Sequence, residues 1–201
     1  MKRLFFIWFF IPLISYCQTD SEFKLQNSIS VEWGKNCINE MDCFYLSLDT
    51  NEYVYSLYYS FENENMKQIA TGDWTELVYS ADLHSFQNEN ANSYIVLWEK
   101  ANEYNPFFTI FYLFDGKIVK IGEWGIAISR IDYYCEFCDY SVEDIRITQK
   151  NDEIEFSFLK DIGFMIVTKE YYDYDDWELF KAGELIISYN IVDGMVKRIE
   201  K

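Results

Sequence analysis

The stretch FYLFDGKIVKIGE, residues 111–123, decides the fold of this chain. Its centre, Asp115-Gly116, is the two-residue signal of a tight β-hairpin, because both turn positions need a positive φ that Gly adopts at no steric cost and Asp tolerates. Aromatic and β-branched residues flank the turn on both sides, as strands prefer. The pattern returns in YNIVDGMVKRIEK (189–201), with Asp193-Gly194 at its centre, and Lys150-Asn151-Asp152 supplies a third tight connection. Hairpins in sequence imply antiparallel pairing.

Outward from these turns the dominant period is two, the mark of strands with one face buried. Strands are predicted over 28–33, 44–49, 53–60, 67–71, 94–99, 107–114, 117–123, 125–131, 145–149, 153–159, 164–168, 185–191 and 195–199. A second echo, TGDWTELV (71–78) against IGEWGIAI (121–128), adds little, since two echoes are too few for a repeat architecture. The expected fold is mainly β, an antiparallel meander forming a sandwich or open barrel with one or two short helices. The first helix is predicted over 74–84, where Asp73 and Glu76 resemble a capping pair and Trp74, Leu77, Val78 and Ala81 recur at helical spacing. The second covers 175–183, with Asp175 and Asp176 at its start, Lys181 near its end and Gly183 as the stop.

The N-terminus reads as an export signal. Met1-Lys2-Arg3 is a basic start, and Leu4 to Ile14 (LFFIWFFIPLI) is an apolar run too short to span a bilayer. Ser15-Tyr16-Cys17-Gln18 fits ordinary cleavage after Cys17, which is the favoured reading. The alternative is a lipid anchor on Cys17, disfavoured because lipoprotein sites carry a small residue where Tyr16 stands. Residues 1–17 are thus expected to be a signal peptide and 18–201 a single β-rich domain, exported to the periplasm, the cell surface or the medium. Cleavage removes Lys2 and Arg3, so 17 basic residues fall to 15 against 34 acidic ones and the formal charge moves from −17 to −19. No basic cluster is left to neutralise phosphates, which excludes nucleic acid as a partner. A membrane would be reached only through a lipid on Cys17.

Export sets the redox context of Cys37, Cys43, Cys135 and Cys138, four cysteines expected to form two disulfides of undetermined pairing. Cys135-Glu-Phe-Cys138 has redox spacing, but Asp132, Glu136 and Asp139 surround it with negative charge that disfavours a reactive thiolate. A four-sulfur zinc site is disfavoured because Cys37 and Cys43 are spaced more widely than zinc pairs usually are.

The catalytic inventory is thin. His84 is the single histidine, and G-x-S-x-G and P-loop motifs are absent. A triad with Asp82 and Ser85 is disfavoured, since both neighbours lie beside His84 at the end of the expected helix and a distant nucleophile would be needed. Asp173, Asp175 and Glu184 fall at calcium-loop positions, but Glu178 stands where the loop needs Gly. No cofactor or resident metal is expected. A carboxylate-pair hydrolase such as a glycosidase remains the alternative function, although among 34 acids no two are singled out. Acids precede tryptophan at Glu32-Trp33, Asp73-Trp74, Glu123-Trp124 and Asp176-Trp177, a pattern that strand alternation explains if the ring packs inward. If Trp33, Trp74, Trp124 and Trp177 instead face water, or the tyrosines of Tyr53-Val54-Tyr55 and Tyr171-Tyr172-Asp173-Tyr174 do, they form an aromatic binding surface. The favoured expectation is an exported cell-envelope binding or interaction module, not an enzyme, whose ligand is a basic protein or a glycan. A structural envelope protein with no ligand is the third reading.

Overall fold

The computed structural model describes residues 21–73, 80–90, 92–101, 106–127, 141–166, 178–192 and 195–199. In chain order the strands are β1 (Ser21–Ser30), β2 (Gly34–Cys37), β3 (Asp42–Asp49), β4 (Val54–Phe61), β5 (Lys67–Asp73), β6 (Ser80–Asn88), β7 (Ser93–Ala101), β8 (Pro106–Phe114) and β9 (Lys117–Ala127). They continue with β10 (Ile145–Lys150), β11 (Glu153–Phe158), β12 (Ile162–Ile166), β13 (Glu178–Phe180), β14 (Ile186–Val192) and β15 (Met195–Ile199). A 3-10 turn, Val142–Asp144, precedes β10, capped by the Ser141 hydroxyl, which accepts from the Glu143 N–H. All the strand pairs are antiparallel, so the mainly β, antiparallel expectation holds.

Eleven strands form one sheet in the order β13-β12-β9-β8-β7-β6-β1-β10-β11-β14-β15, and β2-β3-β4-β5 form a second. The long sheet curls until β15 comes alongside β9, giving a nearly closed barrel. Its interior is filled from every side by Phe23, Phe86, Leu97, Phe108, Ile110, Trp124, Ile147, Phe156 and Tyr189 among others. Trp124 bridges the closure. Its indole N–H donates to the Tyr189 hydroxyl at 2.7 Å, and its ring meets Phe156 edge-on at 4.7 Å. Gly122 is required beside it, since a Cβ there would collide with the Tyr189 hydroxyl.

The four-stranded sheet packs on the outside of the barrel wall. Phe44, Leu46, Tyr55, Leu57 and Tyr59 point inward from it and meet Leu83, Val96, Trp98, Phe111 and Leu113, which point outward from β6, β7 and β8. Those barrel strands are therefore buried on both faces, which is why residues 94–98 and 107–114 read as near-continuous apolar runs. Lys100 is buried at this seam, its ammonium 5.6 Å from the centre of the Trp98 ring and in reach of the Tyr55 hydroxyl at 3.4 Å. Asp42 is buried too, held by the Asn39 amide at 2.8 Å and by the Tyr59 hydroxyl, which donates to it. Burial above all, then that bond and the Asp42 charge, push the Tyr59 phenol far above its ordinary value.

The Asp-Gly turn behaves as its chemistry requires. Phe114 pairs with Lys117, and Asp115 and Gly116 take φ of 50° and 67°. Gly116 is also pressed against the Phe61 ring, 2.8 Å from where a Cβ would stand, so this hairpin locks the two layers together. Asn151, at φ 56°, turns the β10–β11 hairpin in the same way.

Four expectations need correction. Residues 80–84 of the first expected helix lie in β6, which is paired on both edges, with β1 and β7; residues 74–79 fall outside the described residues. Long-range pairing overrides the local helical spacing there. In the second, Glu178–Phe180 is a strand against β12 and the segment ends in a turn: the Lys181 N–H bonds Glu184, and Gly183 supplies the positive φ. The strands expected at 117–123 and 125–131 are one strand through residue 127, bent at a bulge where Ile110 pairs with Gly122 but Phe111 with Lys120. The meander is also interrupted. β1, from the chain's start, inserts between β6 and β10.

Candidate functional site

Two regions stand out among the described residues. One is the outer face of the four-stranded sheet. Register places Lys35, Tyr45, Tyr58 and Gln68 in one cross-strand row and Ser47, Ser56 and Thr71 in the next. Phe44 and Leu46 point inward, so alternation sends Tyr45 and Ser47 outward. Both tyrosines are half-buried, with rings partly open to solvent, and the Lys35 ammonium lies 5.9 Å from the Tyr45 ring centre while donating to Asn63 at 2.7 Å. The Gln68 amide donates to Ser56 at 3.3 Å. Trp33 stands at the β2 end of this sheet, 54% exposed, on a loop tied by Asn36, whose side chain both accepts from the Glu32 N–H and donates to the Glu32 carbonyl. Tyr53, 58% exposed, marks the β3–β4 hairpin.

Cys37 and Cys43 are direct cross-strand partners on β2 and β3 and form a disulfide, which removes the crossed pairing for these two cysteines. The bridge fastens the edge strand that carries Lys35. Cys135 and Cys138 lie outside the described residues, as does Cys17.

The residues of the expected aromatic surface fall in different environments. Of Trp33, Trp74, Trp124 and Trp177, Trp33 is exposed, Trp74 and Trp177 lie outside the described residues, and Trp124 is fully buried. Trp124 must be withdrawn from any binding face. Its preceding acid obeys alternation: Glu123 points out and meets Thr109 at 3.0 Å and Lys120 at 2.9 Å. Tyr55 is buried as well. Nothing in the sequence singles out Tyr45 and Tyr58, because alternation gives two faces and only the partner layer says which is open.

The second region lies at one end of the barrel. Ser28 on β1 is the direct cross-strand partner of His84 on β6, and Asp82 on β6 is the partner of Glu99 on β7. His84 is buried, and Ser28 above it is exposed. The imidazole is held at both nitrogens, Nδ1 2.9 Å from the Ser28 hydroxyl and Nε2 2.7 Å from Glu99 Oε2. With Glu99 ionised, the carboxylate only accepts, so Nε2 carries a proton and Nδ1 of the neutral ring accepts from Ser28. His84, Asp82 and Glu99 bring one ligand atom each to within 4.8 Å of one another. Such a set can relay a proton from Ser28 or hold a divalent cation. The distant partners of His84 are thus Ser28 and Glu99; Ser85 is buried, and Asp173 and Asp175 of the calcium reading lie outside the described residues. Glu184 caps the turn at Lys181.

No protein-family model, curated protein or solved structure matches this chain.

Proposed function

We propose that this chain is an exported glycan-binding module of the cell envelope, and that the outer face of the four-stranded sheet is where the glycan lies. The observation that carries this reading is the Tyr45–Tyr58 cross-strand pair, two partly open rings side by side and flanked by Lys35, Gln68, Ser47 and Ser56. Sugars present apolar C–H faces and a rim of hydroxyls. Aromatic rings cover the first, and amide, hydroxyl and ammonium groups bond the second. In a chain of net charge −17, the two central rows of this face hold no acid. A basic protein would be drawn to acids, so the face favours an uncharged ligand over that partner. Trp33 at the sheet end extends the platform, and the disulfide holds its edge strand in register.

The test is affinity electrophoresis of the purified protein through gels containing soluble envelope and cell-wall polysaccharides, with Tyr45→Ala and Tyr58→Ala as variants. Retardation by at least one glycan is expected, with each variant weakening it by about tenfold or more, the loss of a central aromatic anchor. Equal retardation of the double variant would overturn the reading, and so would migration unchanged by every glycan.

A further inference from the structure

We infer that Asp82, His84 and Glu99 form a binding site for a divalent transition-metal ion of the zinc type, with Ser28 orienting the imidazole. Three observations converge on it, none involving the outer face of the four-stranded sheet. Asp82 and Glu99 are directly opposed across β6 and β7, and two like charges in that relation destabilise a sheet unless something positive lies between them. Among the described residues no Lys or Arg pairs with either. The Glu99 carboxylate meets only the His84 ring, and the Asp82 carboxylate takes part in no hydrogen bond or ion pair.

The ligand set suits the ion. One imidazole nitrogen and two carboxylate oxygens, within 4.8 Å of one another, match the mixed nitrogen and oxygen donors that zinc accepts. Asp82 is only partly buried, so solvent reaches the cluster and can supply a fourth, water ligand. Ser28 supplies the outer support that metal-binding histidines need at their other nitrogen. A hydroxyl both donates and accepts. The neutral ring can therefore change tautomer, losing its Nε2 proton to water and taking one up from water at Nδ1, so that Nε2 is free to bind the cation while Nδ1 donates to Ser28 without any side chain moving away.

The opposite end of the barrel shows what a purely structural polar cluster looks like here. The Asn88 amide donates to Ser21 at 2.7 Å and to Gln149 at 3.0 Å, and its oxygen accepts from the Asn90 N–H, so each of its polar atoms has a partner. The His84 cluster leaves a carboxylate over. A Ser28–His84–Glu99 proton relay would account for two of the bonds but would give Asp82 no part.

The experiment is titration of chelator-treated protein with Co²⁺, followed by its visible d–d absorption, then displacement by Zn²⁺. One equivalent with intense low-coordination bands is expected, lost in His84→Ala and weakened about tenfold or more in Asp82→Asn, Glu99→Gln and Ser28→Ala. Asp82→Asn is the decisive variant: it keeps the side-chain shape and removes no existing bond, so its loss of cobalt cannot come from unfolding. Absorption no different from aqueous cobalt would overturn the assignment. So would equal affinity in all four variants, which would mean diffuse binding to the acidic surface. Fluorophosphonate labelling of Ser28 in protein that binds no cobalt would overturn it in favour of a nucleophile.

Discussion

The barrel interior and the layer beneath the four-stranded sheet share β6 to β9 as a common wall, yet they are closed by different means. Strands on every side seal the interior, and its weakest line, between β9 and the C-terminal strands, is bridged by Trp124 and Tyr189. Among the described residues the outer layer has two unpaired sheet edges, β2 and β5, and it is closed by one wall of aromatic side chains, the Phe61–Gly116 contact and a disulfide. Closure uses up both faces of the barrel strands it shares. The four-stranded sheet keeps its outer face for water and ligand, which is why a binding surface falls there. The His84 cluster, one of two polar clusters described in the barrel, sits beside exposed Ser28.

Four perturbations would break or sharpen this contrast. The largest effect is expected for Trp124→Ala, which removes a fully buried indole together with its hydrogen bond to the Tyr189 hydroxyl; a loss of about 3–5 kcal/mol should appear in denaturant unfolding. Hydrogen exchange should then rise in β9 and β14 before β3 and β4, and simultaneous loss would mean that the two cores are one unit.

Replacing Cys37 and Cys43 by Ser should cost about 2 kcal/mol, from the short loop the bridge closes over a sequence separation of 6. Exchange should increase in β2 and β3 while β8 stays protected. An unchanged β2 would show that pairing alone holds the edge.

Tyr59→Phe removes the donor to buried Asp42 and should cost about 1–3 kcal/mol. The same pair sets an alkaline limit. Because the folded phenol is raised above its ordinary 10.0, the folded state holds its proton more tightly, so this stabilisation is complete below pH 10 and drains away above it. Thermal unfolding between pH 8 and 11 should fall more steeply in the wild type than in Tyr59→Phe; parallel curves would remove Tyr59 from the explanation.

The smallest change is expected for Glu22→Ala, which breaks an ion pair with Arg146 whose side chains are 48% and 56% exposed. Less than about 0.5 kcal/mol should be lost, and added salt should erase even that. A larger loss would mean that the β1–β10 junction depends on this pair.

Much of the barrel is legible in the residues themselves. Asp115-Gly116 and Asn151 announce their hairpins because few residues adopt a positive φ there, and the strand from 153 alternates as a half-buried strand must. The errors fall where sequence neighbours and spatial neighbours diverge. The helical spacing of Trp74 to Ala81 predicts a helix that would carry Asp82 and His84, while β6 is held by β1 and β7, strands whose pairing no local pattern records. Trp33 and Trp124 carry the same acid-aromatic motif and end in opposite environments. One stands on an edge loop, the other fills the barrel.

By itself, the sequence determined a β-rich chain with tight turns at named positions and a strongly acidic surface, since φ preferences, side-chain alternation and charge are local properties. Only the tertiary structure decided which face of β3 and β4 remains open and that Ser28, His84 and Glu99 meet. Both depend on register between strands far apart in the chain, where a shift of one residue would turn every side chain to the other face.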